Sequence, residues 1–293
     1  MLNSKIILLE PVLKTMIWGT ESWGISAHPN GDCKVVSGPY QGYTLSSLWD
    51  EHRELFGDVK MQQFPLLTKV IDAKQDLSIQ VHPDDAYANT NENGSLGKTE
   101  CWYIMDCEPE TTIVIGHHAT THEELEDMIK TGRWDELIRE IPVKKGDFFQ
   151  INPGCVHAIK GGTTILETQQ NSDITYRLYD YDRLQDGQLR PLHIRQSMDV
   201  ITVPFDAASV NAISKKSGWL EQLIACDYYR VWKGVLCGKE TLSLDAPFVL
   251  GSVIDGEVMI DKMSIKKGMH FIIPSGVADV QLKGNGELIF STL

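Results

Sequence analysis

Apolar residues in this chain come in short runs closed by Gly, Pro, Asn or Asp, as at Leu66–Ile71, Ile113–Ile115, Phe148–Ile151, Tyr229–Leu236 and Phe248–Ile254. Short strands at this rhythm predict an all-β sandwich or barrel. Two stretches break it. Leu45, Leu48, Trp49 and Leu55 fall at near-helical spacing. Within 121–140, Thr121 and Glu124 form a candidate capping box. Leu125, Met128 and Ile129, then Trp134, Leu137 and Ile138, make apolar stripes on either side of Gly132. The pattern therefore predicts a β core decorated by a few helices.

The segment 143–157 aligns without gaps on 265–279, an offset of 122 residues. Lys-Lys-Gly is shared, Phe149 falls on Phe271, and Gly154 on Gly276. Each copy reads as a turn, an inner strand, a Gly turn and a following strand, which suggests two related barrels. The second copy has Asp279 where the first has His157, and nothing near it resembles Gln80-x-His82. A polar stretch between Val203 and Gly218 marks the expected boundary. The expected division is a domain over 1–205, with helical insertions, that carries the candidate site residues described below, and a β domain over 206–293 without them.

One strand reverses the usual alternation. In Ser78-Ile79-Gln80-Val81-His82, positions 78, 80 and 82 share a face because the side-chain period of a strand is two. Three polar residues there, with Leu77, Ile79 and Val81 opposite, mean that the polar face lines something. Lys98-Thr99-Glu100 and Pro153-Gly154-Cys155-Val156-His157 add a carboxylate and a second imidazole. Two His and a Glu are a common way to hold a divalent metal while leaving positions open. A lone strand histidine is more often a packing residue. The polar face, the Glu and the turn together reverse that balance.

For Glu100 the alternative is a surface ion pair with Lys98, which Trp102 and Tyr103 disfavour by placing the segment partly in a core. Cys155 reads as a packing residue, because nothing beside it would lower its pKa. His117 and His118 are adjacent and face opposite ways on a strand. They read as non-ligands, with His28, His52, His122, His193 and His270. Arg177 shares a strand face with Thr175 and Tyr179, and a guanidinium can hold an anion by paired hydrogen bonds. The alternative for it is a surface strand arginine.

The 293 residues carry a formal net charge of −13, with 42% hydrophobic and 23% charged residues. That acidity argues against nucleic acid or an acidic membrane as partner, though not against a small anionic substrate. No apolar run approaches the roughly 18 residues needed to span a bilayer. Ile6–Leu9, interrupted by Glu10, is too short for the core of a secretory signal. Six cysteines without a C-x-x-C pair predict reduced thiols and a cytoplasmic location.

The Pro-Gly-x-x-His turn resembles the second metal motif of cupins, the small jelly-roll barrels. More narrowly, the chain resembles the type I mannose-6-phosphate isomerases of the short bacterial class. Segments 21–31, 69–85, 97–103 and 167–181 carry the likeness, above all Gln80-Val81-His82-Pro83-Asp84 and Asn171-Ser172-Asp173-x-Thr175-Tyr176-Arg177. It covers most of residues 1–200 and continues more weakly to the end. Asn152-Pro153-Gly154 departs from it by moving the Pro one position, and Gly24 stands where a larger, often acidic residue is usual.

The resemblance implies two cupin-type jelly-roll barrels and one Zn2+ per chain, held by Gln80, His82, Glu100 and His157. It places the family's essential arginine on Arg177, its active-site Glu and Asp on Glu167 and Asp173, and its lysine on Lys98. The implied reaction interconverts mannose 6-phosphate and fructose 6-phosphate through an enediol or enediolate. Lys98 and Glu167 both remain open as the proton-transferring base. Ser78 and Arg183 are candidate phosphate donors. Two other classes stay open: another metal-dependent cupin enzyme, such as an oxygenase, and a non-catalytic sugar-binding or regulatory protein. The intact Lys98, Glu167 and Arg177 argue against the second.

Overall fold

Strand alternation becomes antiparallel pairing along nearly half of the chain. The structure is a computed structural model that describes residues 5–210 and 214–293. Asn211–Ile213, within the expected linker, lie outside the described residues. The fold is mainly β, in line with the sequence pattern. It forms two compact units, one of Met1–Leu13, Ser22–Lys69 and Ala212–Leu293, the other of Lys14–Glu21 and Val70–Asn211. The segment 22–69, expected on the catalytic side of a boundary near residue 205, thus groups with the C-terminal strands.

The first unit is built on a large sheet that includes Arg230–Leu242, Val280–Thr292, Val249–Ile260, His270–Ile273 and Ile7–Glu10, in that order. Its buried face holds Val253, Val258, Ile265, Phe271, Leu282, Leu288 and Phe290. The helix expected from Leu45 and Leu48 spans Leu45–Glu51. Thr44 caps it by accepting the Ser47 N–H, and Trp49 packs among Phe56, Phe64 and Phe248. The unusual Gly24 also has a reason here. A Cβ at that position would lie 2.4 Å from the His270 ring, which is buried and hydrogen-bonded through Nδ1 to Ser252 Oγ at 2.8 Å.

The second unit pairs two sheets. One runs Ile138–Pro142, Thr112–His117, His157–Ala158, Ile79–Val81, Tyr176–Tyr179. The other contains Phe148–Ile151, Glu100–Cys107 and Thr163–Gln170 in that order. Trp102, Ile104, Ile113, Ile115, Ile151 and Ile165 fill a core between them.

The helical expectation for 121–140 holds over His122–Lys130 and Trp134–Leu137, with Gly132 at φ 68° between them. Thr121 caps the first through the Glu124 N–H. The Glu124 carboxylate reaches Thr120 instead of closing the box on Thr121. Ile138 corrects the reading. It begins the strand Ile138–Pro142, which pairs with Thr112–His117, so sheet pairing overrides the apolar stripe. Asp85–Asn91 and Ile194–Val200 are further helices, the first capped by Asp84. Among the described residues no helix is long and apolar enough to cross a membrane.

Candidate metal centre and active site

Cross-strand register gathers the polar residues in the second unit. His157 lies opposite Gln80, and Gln80 opposite Arg177, on three neighbouring strands of one sheet. On the facing sheet Glu100 pairs with Gln169, and Trp102 with Glu167. Alternation turns Glu100, Trp102 and Glu167 inward with the apolar core residues Ile104 and Ile165.

The two imidazoles and the carboxylate converge. His82 Nε2 and His157 Nε2 are 3.1 Å apart, His82 Nε2 is 3.4 Å from Glu100 Oε2, and His157 Nε2 is 3.5 Å from Glu100 Oε1. Gln80 Nε2 is 3.3 Å from His157 Nε2. The carboxamide is symmetric in shape, so turned over it would present its oxygen at the same point. Donors about 2.0–2.1 Å from a tetrahedral zinc are roughly 3.3 Å from one another, so the spacings fit that ion.

The protonation pattern fits as well. His82 Nδ1 donates to Ile174 O at 2.8 Å and His157 Nδ1 to Cys155 O at 2.9 Å. Both Nε2 lone pairs therefore point into the cluster. Burial first, then Lys98, pushes His82 down to about 3. Burial raises the Glu100 carboxyl, but the Lys98 ammonium outweighs it and holds the carboxyl well below the usual carboxylate range. Neutral imidazoles beside an ionised carboxylate are the form that binds a metal. Glu100 Oε1 is buried without a hydrogen-bond partner, as an oxygen facing a cation site would be.

Two backbone segments hold these side chains in place. Gly154, at φ 82°, donates its N–H to His82 O, and a Cβ there would lie 2.4 Å from Thr202 Oγ1. The shifted Pro153 leaves this turn intact. Cys155 is buried and pushed up to about 12 by that burial, as suits a packing residue. The Asn-Ser-Asp segment contributes through its backbone, since Ile174 O orients His82.

Lys98 is buried with its Nζ 2.5 Å from Glu100 Oε2, 3.1 Å from His82 Nε2 and 3.5 Å from Glu167 Oε1. Trp102 Nε1 donates to Glu167 Oε2 at 3.0 Å. Arg177 is half-buried, with its Nη1 on Pro191 O at 2.8 Å. Ser78 is buried beside Gln80, donating to Oε1 at 3.4 Å. Asp173 is exposed in the turn before the Arg177 strand. Arg183 lies further along, its guanidinium on Asp180 and Asp76 O. The structure thus brings Gln80, His82, Lys98, Glu100, His157 and Glu167 together, with Ser78 and Arg177 flanking Gln80.

Sequence reasoning missed several supporting residues. Asp85 accepts the Gly97 N–H at 2.7 Å and Gln170 Nε2 at 2.9 Å, while Gln170 Oε1 accepts the Thr99 N–H at 2.8 Å. Lys98 is therefore pinned through the backbone on both sides. His193, set aside as a non-ligand, accepts the Arg177 N–H through Nδ1.

Fold and site together define a cupin-type β protein carrying two imidazoles and a carboxylate spaced to hold a divalent ion. Residues 6–123 match the type I phosphomannose isomerase catalytic domain, and 220–293 the mannose-6-phosphate isomerase cupin domain. The chain is 47% identical to mannose-6-phosphate isomerase ManA of Bacillus subtilis (strain 168), covering 100% of both. It is 46% identical to the mannose-6-phosphate isomerase of Streptococcus mutans, over 92% of this chain and 87% of that one. A crystal structure of mannose 6-phosphate isomerase from Bacillus subtilis superimposes with TM-score 0.94 at 42% identity, covering 98% of this chain and 99% of that one. The chain belongs to the type I mannose-6-phosphate isomerase family.

Proposed function

We propose that the chain is a zinc-dependent isomerase that interconverts mannose 6-phosphate and fructose 6-phosphate through an enediolate. The observation that carries this reading is the convergence of His82, His157 and Glu100 at near-tetrahedral spacings beside Lys98 and Glu167, in a member of this family. His82, His157, Glu100 and Gln80 would hold one Zn2+. The bound ion would supply Lewis-acid stabilisation of negative charge developing on the substrate oxygens.

The chain's own residues do the rest. Lys98 or Glu167 moves the proton between C2 and C1. The Trp102 indole fixes one Glu167 oxygen and leaves the other toward Lys98, so the two groups form one proton-handling pair. Arg177, whose Nε is buried without a partner, offers a charged edge to substrate oxygens. Ser78, Asp173 and Arg183 are the remaining substrate contacts in this reading. Arg183 has the least freedom among them, because its guanidinium is already engaged by Asp180 and Asp76 O.

Residues 1–205 carry the catalytic metal site and 206–293 remain metal-free. The six cysteines are free thiols, which supports a cytoplasmic location.

A coupled assay with mannose 6-phosphate, before and after chelation, tests the reading. Activity should vanish on chelation, return with Zn2+, and need no oxygen. Unphosphorylated mannose should be a poor substrate at the same metal content. Arg177→Ala should keep the metal and lose roughly a hundredfold in turnover. Activity that survives chelation, or an oxygen requirement, would remove the proposed chemistry.

A further inference from the structure

Arg177 is oriented by a segment that no sequence motif marks. Its Nη1 donates to Pro191 O at 2.8 Å, its backbone N–H donates to His193 Nδ1 at 3.1 Å, and its carbonyl accepts the His193 N–H at 2.8 Å. Residues 190–193 belong to no helix or strand. Their anchor is Arg190, which places Nε on Asp180 Oδ2 at 2.7 Å and Nη2 on Asp180 Oδ1 at 2.5 Å. Asp180 is 4% exposed and also accepts Arg183 Nη2 at 2.5 Å, while Arg183 Nη1 reaches Asp76 O.

One buried carboxylate therefore ties down both ends of the excursion from Tyr181 to Leu192. That excursion needs holding. Tyr181, Asp182 and Asp186 sit at φ 57°, 52° and 53°; Asp enters this region readily, whereas a bulky residue such as Tyr181 does so at a cost that surrounding contacts must offset. A bidentate guanidinium–carboxylate pair fixes angle as well as distance.

We propose that Asp180 is a positioning residue for Arg177, acting through Arg190 and the Pro191 carbonyl. The inference rests on the substrate role given to Arg177 above. A carboxamide at position 180 keeps the shape but loses one acceptor and the charge. The strap then loosens, and Arg177 Nη1 loses a fixed partner.

The test is a double-mutant cycle on the metal-loaded enzyme, using Asp180→Asn, Arg190→Gln and Arg177→Ala with mannose 6-phosphate as substrate. Asp180→Asn and Arg190→Gln should each lower kcat/KM about tenfold with metal content unchanged. In the Arg177→Ala background Arg190→Gln should be nearly silent, because the group it positions is gone, and Asp180→Asn should keep only the part of its effect that runs through Arg183. The same factor in both backgrounds would overturn the inference, and so would failure of both variants to fold. A second readout does not need turnover. The Arg177 Nε–H NMR resonance, assigned by its loss in Arg177→Ala, should broaden or shift in Arg190→Gln, and an unmoved resonance would also overturn the inference. A wild-type protein without isomerase activity would instead sink the functional reading, leaving the resonance to decide the geometry.

Discussion

In the first copy of the internal repeat the Gly146 N–H bonds Ile104 O, and the Ile104 N–H bonds Asp147 O. In the second, Gly268 and Met269 make the same pair of bonds with Val253. Gly146 and Gly268 take φ 91° and 81°, and Gly154 and Gly276 take φ 82° and 75°. The backbones match, and strand register then matches the neighbours. Ile151 pairs with Glu100 where Ile273 pairs with Val249, and Phe149 pairs with Trp102 where Phe271 pairs with Gly251.

The chemistry diverges at those positions. Glu100 corresponds to Val249, His157 to the exposed Asp279, and Trp102 to Gly251, whose missing side chain makes room for the Phe271 ring. One copy holds a buried charged cluster and the other an apolar core. Buried charge is costly unless it is compensated. One strand-turn-strand scaffold therefore carries either an apolar core or a candidate cation site, depending on a few inward positions.

Making the first copy resemble the second gives the largest effect. Glu100→Val removes a proposed ligand and strips the buried Lys98 of its nearest carboxylate. Elemental analysis should show the metal lost, turnover should fall at least about a hundredfold, and urea unfolding should show destabilisation of about 3 kcal/mol. Retained metal would break the assignment.

The next effect belongs to the second copy. Burial pushes His270 down to about 4, so between pH 6.5 and 4 the unfolded chain binds a proton there that the folded chain does not. Stability should fall as pH drops through that window, by roughly 3 kcal/mol for this one group, and level off below it. His270→Phe, which installs the residue of the first copy at Phe148, should make that slope shallower in unfolding curves at pH 7 and 4.5. An unchanged slope would remove His270 from the account.

The smallest effect separates the two Gly turns. Gly154→Ala meets Thr202 Oγ1 and Val200 O, whereas a Cβ at Gly276 has nothing within 4 Å. Both substitutions carry the positive-φ strain of about 1–2 kcal/mol. Gly154→Ala should cost more and should lower metal affinity, since its turn leads to His157. Equal thermal shifts would show that the turns are interchangeable.

Much of this was legible in the sequence. The period-two face of Ser78, Gln80 and His82, the Pro-Gly-x-x-His turn and the repeat are local patterns. What stayed hidden depends on contacts between distant residues. Gln170 reaches Thr99 across 71 positions and Asp85 across 85. Ile138 has helical spacing but begins an edge strand of the sheet. His193 looked idle because its partner is a backbone N–H, which no side-chain motif can mark.

The most direct test of the central claim is a metal count on the purified wild-type chain, and on a His82→Ala/His157→Ala double variant. One divalent ion per wild-type chain and none in the variant is the predicted result. Two ions per chain, or an ion retained by the variant, would place a site outside the first copy and contradict the account.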